Sequence, residues 1–364
     1  MKATHTRFMK MALALGQRAL GRTAPNPAVG CVIVKDGRVV GRGVTARGGR
    51  PHGEPQALAQ AGARARGACV YVSLEPCAHE GQTPPCARAL IDAGVAQVVI
   101  AAQDPNPDVR GRGAAMLRAA GIQVVTGVLE PEATIAHGGF FKVMQQGLPW
   151  VTLKLAASLD GRIATQGGQS QWITGPQARR MVHLQRARHD AVLVGAGTLR
   201  ADDPSLTVRD LGVTHQPARV VMSRNLDIPL NAKLAQTAHD IPVYLVHSTD
   251  ADVNLVSAWQ GLGAHMVAVP ANAARHMDPR AALAALAQAG LTRIYCEGGG
   301  MLASALLQRD VVDEICVFQA GKVIGVEGRP MIGPLAVDQL DHAPAFHLVD
   351  HHRLGPDHMT TWRR

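Results

Sequence analysis

Aromatic side chains are scarce in this chain: 5 Phe, 4 Trp and 3 Tyr make up 3% of 364 residues. Ring stacking is therefore a poor candidate for the way it holds a ligand, which counts against a groove that stacks successive nucleic-acid bases. Packing has to rest on Leu, Val, Ile, Ala and Met, and a hydrophobic content of 47% supplies enough of them for real cores. Long apolar runs are missing as well. The early run from Met11 to Leu15 breaks at Gly16, Gln17 and Arg18, without the pattern of a secretory leader and far short of the roughly 20 residues of a membrane span. The expectation is a soluble, cytoplasmic protein with no membrane partner. Cysteines number only six, which argues against a disulfide framework in a chain of this length. Cys31, Cys69, Cys296 and Cys316 lie in or beside apolar, strand-like runs and read as buried small hydrophobes. Cys77 and Cys86 stand in a different setting.

The length is too great for one typical domain, so two are expected. The net charge of +9 is unevenly spread: residues 1–147 hold 17 Lys/Arg against 9 Asp/Glu, and residues 148–364 hold 20 against 19. A basic first part suits an anionic ligand. Apolar periodicity predicts a helix over 7–20, a hairpin of Val29 to Val34 and Arg38 to Val44 turning at Asp36-Gly37, and a helix over 54–66. A strand from Ala68 to Leu74, a helix over about 85–93, a strand from Val95 to Ala102, a helix over about 112–120 and a strand from Ile122 to Thr126 follow. Polar, Gly- and Pro-containing residues from Gln145 to Pro149 mark a boundary, giving domains 1–147 and 148–364. Strands then recur at Val151 to Leu155, Ala191 to Val194, Arg219 to Met222, Val243 to Val246, His265 to Val269 and Arg293 to Cys296. Helices over 176–188, 279–289 and 301–308 alternate with them, so both parts read as α/β layers.

The chemistry is concentrated in His52-Gly53-Glu54, Pro76-Cys77 after a strand, and Cys86 after Pro84-Pro85. One imidazole and two thiolates can hold zinc and leave a fourth position for water, whose pKa the metal lowers towards about 7. A carboxylate two residues from the histidine can carry the water's proton to a leaving amine. An H-x-E element joined to a P-C element is the pattern of zinc deaminases acting on cytosine- or adenine-like rings. A closed structural site would need a fourth ligand, and His79 is the one candidate nearby.

These residues resemble a known family. Pro25-Asn26-Pro27, Val29-Gly30, Val32 to Gly37, His52-x-Glu54, Glu75-Pro76-Cys77-x-His79, Gly81-x-Thr83-Pro84-Pro85-Cys86 and Asp104-Pro105-Asn106-Pro107 are similar to the deaminase half of the bifunctional riboflavin-biosynthesis deaminase–reductases. The eight residues between Cys77 and Cys86 suit that family better than the C-x-x-C of nucleic-acid deaminases. The resemblance implies a cytidine-deaminase-like α/β/α domain with zinc on His52, Cys77 and Cys86, proton transfer by Glu54, and substrate contacts from Asn26 and His79. Several positions depart from the pattern. Gly53 replaces the usual Ala, Pro55-Gln56 replace a commoner pair, Glu80 stands where His is frequent, Thr45 where many members have His, and Gln82 where Lys or Arg is frequent. Loss of a cation at Gln82 is expected to raise KM for an anionic substrate.

The second half carries Leu153 to Arg162, Ser170-Gln171-Trp172-Ile173-Thr174, Arg186, Gly195-Ala196-Gly197-Thr198, Ala201-Asp202-Asp203-Pro204, Leu206 to Arg209 and Cys296-Glu297-Gly298-Gly299-Gly300. Gly195-x-Gly197 alone is a weak dinucleotide signal, whereas Gly298 to Gly300 before a helix suit a phosphate. Together these segments resemble the reductase of the same family, similar in fold to dihydrofolate reductase. That implies NADPH lined by Ala156, Trp172, Thr198, Asp202, Ser223 and Gly298, Gly299 and Gly300, and substrate held by Ser170, Arg186, Leu206, Arg209 and Glu297. Ser223-Arg224, after the strand ending at Met222, can read a 2′-phosphate. The implied reactions are two consecutive riboflavin-pathway steps on a phosphorylated ribosylaminopyrimidine, by a homo-oligomer (dimer or tetramer) with no nucleic-acid partner. The competing reading is a tRNA-type deaminase fused to an unrelated α/β domain, and the few aromatics oppose it. A regulator with a vestigial zinc site is opposed by Glu54. His342, His347, His351, His352 and His358 show no ligand spacing and read as solvated or packed.

Overall fold

In the computed structural model, which describes residues 2–80, 84–107, 109–272 and 276–364, the chain forms two compact units, Met1–Gly147 and Leu148–Arg364. The first runs α1 (Lys2–Gln17), β1 (Gly30–Lys35), β2 (Arg38–Val44), α2 (Gly53–Ala61), β3 (Cys69–Leu74), α3 (Cys86–Asp92), β4 (Gln97–Ala102), α4 (Arg112–Ala119), β5 (Gln123–Val125), α5 (Glu130–Ala136) and α6 (Gly138–Gln146). Its sheet has the order β2-β1-β3-β4-β5. β1 is antiparallel to both neighbours, and β3, β4 and β5 are parallel. The hairpin turns at Asp36 and Gly37 with φ of 49° and 74°, the doubly positive turn that matches strand twist. Val70, Val72, Val98, Val99 and Ile100 are fully buried, as expected for parallel strands covered on both faces.

Two glycine contacts set the layers. A Cβ on Gly30 would lie 2.0 Å from the Ala12 carbonyl oxygen of α1, and one on Gly43 would lie 1.9 Å from the Gly53 oxygen at the start of α2. Gly43 pairs with Cys31, the neighbour of Gly30, so the two glycines face opposite sides of the sheet. α1 therefore covers one face and α2 the other, each in backbone-to-backbone approach.

The second unit runs β6 (Trp150–Ser158), β7 (Arg162–Ala164), α7 (Pro176–Ala187), β8 (Ala191–Gly195), α8 (Ala196–Asp202), β9 (Ala218–Met222), α9 (Lys233–Gln236), β10 (Val243–Ser248), α10 (Val253–Gly261), β11 (His265–Val269), α11 (Pro279–Gln288), β12 (Arg293–Cys296), α12 (Gly300–Gln308), β13 (Glu314–Ala320), β14 (Arg329–Pro330), β15 (His347–Leu354) and β16 (Asp357–Arg363). The main sheet has the order β11-β10-β9-β8-β12-β6-β13-β16-β15. It is parallel from β11 to β13 and antiparallel from β13 through β16 to β15. β7 and β14 pair separately.

The differences from expectation have local causes. The helix over 54–66 stops at Ala61, where Gly62 turns to φ 56°, and a 3₁₀ turn covers Gly62–Ala65. α5, α6, α8, α10 and the strands β13, β15 and β16 add to the expected elements. Cys69 is half-buried, its thiol 3.2 Å from Gln97 Oε1, whereas Cys31, Cys296 and Cys316 are buried. Among the described residues no helix is long and apolar enough to cross a membrane.

Gly43→Ala is expected to force β2 from α2 and destabilise the first unit by about 2 kcal/mol or more. Calorimetric melts should show one transition lowered and the second unit's unchanged; two unchanged transitions would contradict the close approach.

Candidate active sites

His52 ends the loop before α2, Cys77 follows β3, and Cys86 opens α3. His52 Nδ1 lies 3.7 Å from Cys77 Sγ and 3.3 Å from Cys86 Sγ, and the three ligand atoms all fall within 4.8 Å of one another. Around tetrahedral zinc, with bonds of about 2.0–2.3 Å, donor separations are roughly 3.5–3.8 Å. The donor set and its spacing fit that ion. Among the described residues no other group of three or more His, Cys, Asp or Glu side chains has such spacing. His79 is exposed and outside the cluster, so the described ligand set stays at three.

Each ligand is fixed by backbone contacts. Gln56 Nε2 donates to the carbonyls of Pro51 at 3.1 Å, His52 at 3.0 Å, and Val44. The departure at this position thus anchors the histidine loop. The Cys86 N–H donates to Cys77 Sγ at 3.3 Å, and Ala87 N donates to the Cys77 carbonyl at 3.1 Å. Buried Glu75 accepts from Gly111 N at 3.0 Å, Ala114 N at 3.0 Å and Asp104 N at 3.4 Å. One carboxylate thereby ties the Glu75-Pro76-Cys77 turn to the loop after β4 and to the first turn of α4, where a negative charge meets unpaired N–H groups. Gly53 also has a reason: an alanine Cβ there would sit 2.9 Å from the Val29 carbonyl oxygen.

The cluster favours a thiolate. The Cys86 thiol hydrogen bond, with His52 and the Cys86 N–H, holds Cys77 down at about 4 against burial. The same hydrogen bond and burial push Cys86 upward. Glu54 is 3% exposed. Burial pushes its carboxyl up to about 7, with Cys77 adding to the rise and His52 opposing it. Asn26 Nδ2 donates to the Gly49 carbonyl at 3.1 Å, against the loop that leads to His52. Gln82 lies outside the described residues.

A second cluster lies where β6 and β12 meet α7. Arg186 grips Glu297 in two-pronged fashion, Nε to Oε1 at 2.5 Å and Nη2 to Oε2 at 3.0 Å, and its Nη1 donates to the Thr207 carbonyl at 2.8 Å. Lys154 Nζ lies 3.8 Å from Glu297 Oε2. Burial would raise the Glu297 carboxyl, but Arg186 and Lys154 hold it below the usual range, while burial lowers Lys154. Lys154 is not among the site residues expected from the sequence; its signal is a charge in a run from Val151 to Ala157 that is otherwise apolar apart from Thr152. Asp202 is close enough for its charge to bear on Lys154.

Gly299 is the N-cap of α12 and has no side-chain cap. A Cβ on it would meet nothing nearer than Thr198 Oγ1 at 4.0 Å. The open N–H groups of that first turn, facing Thr198, fit a dinucleotide phosphate. Ala156 lies on β6 and Ser170 in the partly buried loop after β7. Trp172 is 60% exposed, with the Arg179 guanidinium 4.6 Å from its ring centroid and Lys322 Nζ 2.6 Å from its carbonyl. Its ring is therefore presented outward, not packed in a core. Leu206 is 3% exposed and its side chain belongs to the apolar cluster with Val192 and Leu199, so any ligand contact there comes from backbone. Arg209 is exposed. Buried Ser223 donates to Asp227 Oδ1 at 3.0 Å.

Residues 2–102 match the cytidine and deoxycytidylate deaminase zinc-binding region, and residues 149–360 match the RibD C-terminal domain. The riboflavin biosynthesis protein RibD of Escherichia coli (strain K12) is 42% identical over 355 residues, covering 96% of each chain. The chain belongs to the RibD family. A solved RibD of Acinetobacter baumannii superposes with a TM-score of 0.89 at 38% identity, covering 100% of this chain and 99% of that one. The Thermotoga maritima diaminohydroxyphosphoribosylaminopyrimidine deaminase/5-amino-6-(5-phosphoribosylamino)uracil reductase gives a TM-score of 0.86 at 32% identity, with the same coverage. The two α/β units are thus of cytidine-deaminase-like and RibD-reductase fold, and the protein is a bifunctional enzyme of zinc-dependent deaminase and NADPH-dependent reductase type.

Glu75→Gln brings amide hydrogens towards backbone donors and removes their charged acceptor. It is expected to loosen Cys77 and weaken zinc retention by roughly tenfold or more, since hydrogen bonds to charged groups are worth about 1.5–3 kcal/mol each. Competition with a chromophoric chelator measures this directly, and wild-type retention would refute the tie.

Proposed function

We propose that residues 1–147 deaminate 2,5-diamino-6-(5-phosphoribosylamino)pyrimidin-4-one and that residues 148–364 reduce the ribosyl group of the resulting uracil to ribityl. The observation that carries the first step is the convergence of His52, Cys77 and Cys86 beside a buried carboxylate. Zinc held there supplies an acidified water at neutral pH. Glu54, whose carboxyl burial pushes upward, is the group that takes a proton from the attacking water and returns it to the departing amine nitrogen. Asn26, pinned against Gly49, orients the ring, and His79 borders the pocket.

For the second step, NADPH supplies the hydride. Gly298, Gly299, Gly300, Thr198, Asp202, Ala156, Trp172 and Ser223 hold it in this reading. The bidentate Arg186–Glu297 pair, with Lys154 beside it, presents fixed polar edges to the pyrimidine. Because Arg186 is already engaged by Glu297 and Thr207, exposed Arg209 is the cation that suits the substrate phosphate; Ser170 and the Leu206 backbone complete the substrate contacts. A nucleic-acid substrate is disfavoured by the family membership and by the 3% aromatic content. We further propose a cytoplasmic homo-oligomer, dimer or tetramer. The outer strand of the large sheet, β15, leaves Leu348 50% exposed, in keeping with a partner there.

Glu54→Gln is expected to slow deamination by roughly 10²–10⁴-fold while zinc content and reduction of separately supplied deaminated intermediate stay at wild-type levels. Wild-type deamination in that variant would sink the proton-carrier assignment. Omitting NADPH should stop the wild-type reaction at the uracil intermediate, identifiable by mass.

A further inference from the structure

We infer that Lys322 and Arg179 are positioning residues for reduction: together they clamp the loop 170–174 so that the exposed Trp172 indole stands fixed at the rim of the reductase site. This rests on the reading of Trp172 as a contact of NADPH.

An indole that is 60% exposed gains little from apolar packing, so burial does not fix its orientation. Two cations do. Lys322 Nζ donates to the Trp172 carbonyl at 2.6 Å, a short, charge-assisted bond. The Arg179 guanidinium lies over the indole, 4.6 Å from its centroid, within the range of a cation–π contact. Arg179 Nη1 also donates to the Thr174 carbonyl at 2.7 Å. One side chain thus holds the backbone of residue 172, and the other holds its ring and the end of the loop.

Both cations are anchored independently of that loop. Arg179 stands in the first turn of α7, beside fully buried Ala178. Lys322 follows β13, and its carbonyl accepts from Leu159 N at 2.7 Å, just past the end of β6. Gln319 Nε2 donates to the Leu159 carbonyl at 3.1 Å. The Asp160 carboxylate then accepts from Ile324 N at 3.1 Å and Gly325 N at 2.7 Å. The lysine therefore starts from a backbone tied to the sheet on both sides of its own position.

The sheet puts this clamp beside the other cofactor residues. β12, β6 and β13 are consecutive and parallel, so Glu297, Gly299 and Lys322 all leave from one rim, where open α/β sheets bind ligands. With strands about 4.8 Å apart, β13 stands roughly 10 Å from β12. The segment after Lys322 spans that gap: Met331 N donates to the Gly161 carbonyl at 3.0 Å, and Gly333 N to the Gly300 carbonyl at 2.9 Å. It begins at the Trp172 loop and reaches the first turn of α12. Indole and glycine turn are thereby held in one frame. Arg179 covers one side of the indole, and the rest of its exposed surface is left for the cofactor.

The test measures NADPH Kd by calorimetry in the full-length wild type, Trp172→Leu, Lys322→Met, Lys322→Arg, Arg179→Met and the double variant Trp172→Leu/Lys322→Met. Lys322→Met and Arg179→Met are each expected to raise Kd about threefold to tenfold. Lys322→Arg, which keeps a charged donor for the carbonyl, should restore most of the loss. Because the lysine acts through the indole, the double variant should bind no more weakly than Trp172→Leu alone. A Kd in Lys322→Met within twofold of wild type, while Trp172→Leu binds weakly, overturns the clamp and leaves the cofactor reading of Trp172 standing. Additive losses in the double variant overturn it too, since a lysine bound directly to a cofactor phosphate would give them. Wild-type affinity in Trp172→Leu overturns the cofactor reading, and the clamp with it. Should Arg179→Met fail to fold, the variants at Lys322, whose side chain is exposed, still decide.

Discussion

Gly43 and Gly53 meet with no side chain between them, and the position of the metal ligands depends on that contact. A Cβ on Gly43 would be 1.9 Å from the Gly53 oxygen, and one on Gly53 would be 2.9 Å from the Val29 oxygen. Helix α2 therefore lies as close to the sheet as backbone allows. His52 precedes that helix and Glu54 occupies its first turn, so the closeness of helix to sheet brings imidazole and carboxylate to Cys77 after β3 and Cys86 at the start of α3. It also buries Glu54. A helix lifted by one methyl group would admit water and let the carboxyl return towards its ordinary range.

Burial costs free energy unless buried charge is compensated, and the two units solve this differently. In the first, the Glu75 carboxylate meets three backbone N–H groups, and the thiols and imidazole satisfy one another. In the second, Glu297 answers two cations, Arg186 and Lys154. Two positive groups against one negative leave a surplus of one buried charge when all three are ionised. The pull of burial on Lys154 is thus the expected response, and an anionic substrate would relieve the same imbalance.

Much of the first site was legible because its ligands come in short words: His52-Gly53-Glu54 and Glu75-Pro76-Cys77 each set chemistry within three residues. The second site was less so. Lys154, Arg186 and Glu297 come from β6, α7 and the turn after β12, and only the fold joins them. The β–α rhythm showed the parallel strands, whose apolar runs are buried on both faces in inner strands such as β3, β4 and β8, while β5 and β11 at sheet edges are partly exposed. It did not show β15, all of whose residues but Leu354 are exposed. That strand exists through its pairing with β16, a tertiary cause that propensity does not carry. α10 was readable in principle, since Asp252 caps it by accepting from Asn254 N. Asp227 resembles an ordinary loop acid until the fold sets it beside Ser223.

Both units put their reactive groups at the carboxyl ends of parallel strands. Cys77 follows β3, and Ser223 and Glu297 follow β9 and β12. The reason is geometric. Parallel strands all end on one side, and each hands the chain to a loop before the next helix begins, so several loops converge there with helix N-termini among them. Antiparallel neighbours would send successive loops to opposite ends. β2 obeys the same geometry: β1 is antiparallel to both β2 and β3, so β2 and β3 run the same way, and His52 and Glu54 come after the same end of the sheet as Cys77. β15 and β16 contribute none of the residues proposed here for catalysis or binding. β15 closes one edge of the large sheet, and the strands that end together on one rim carry the chemistry.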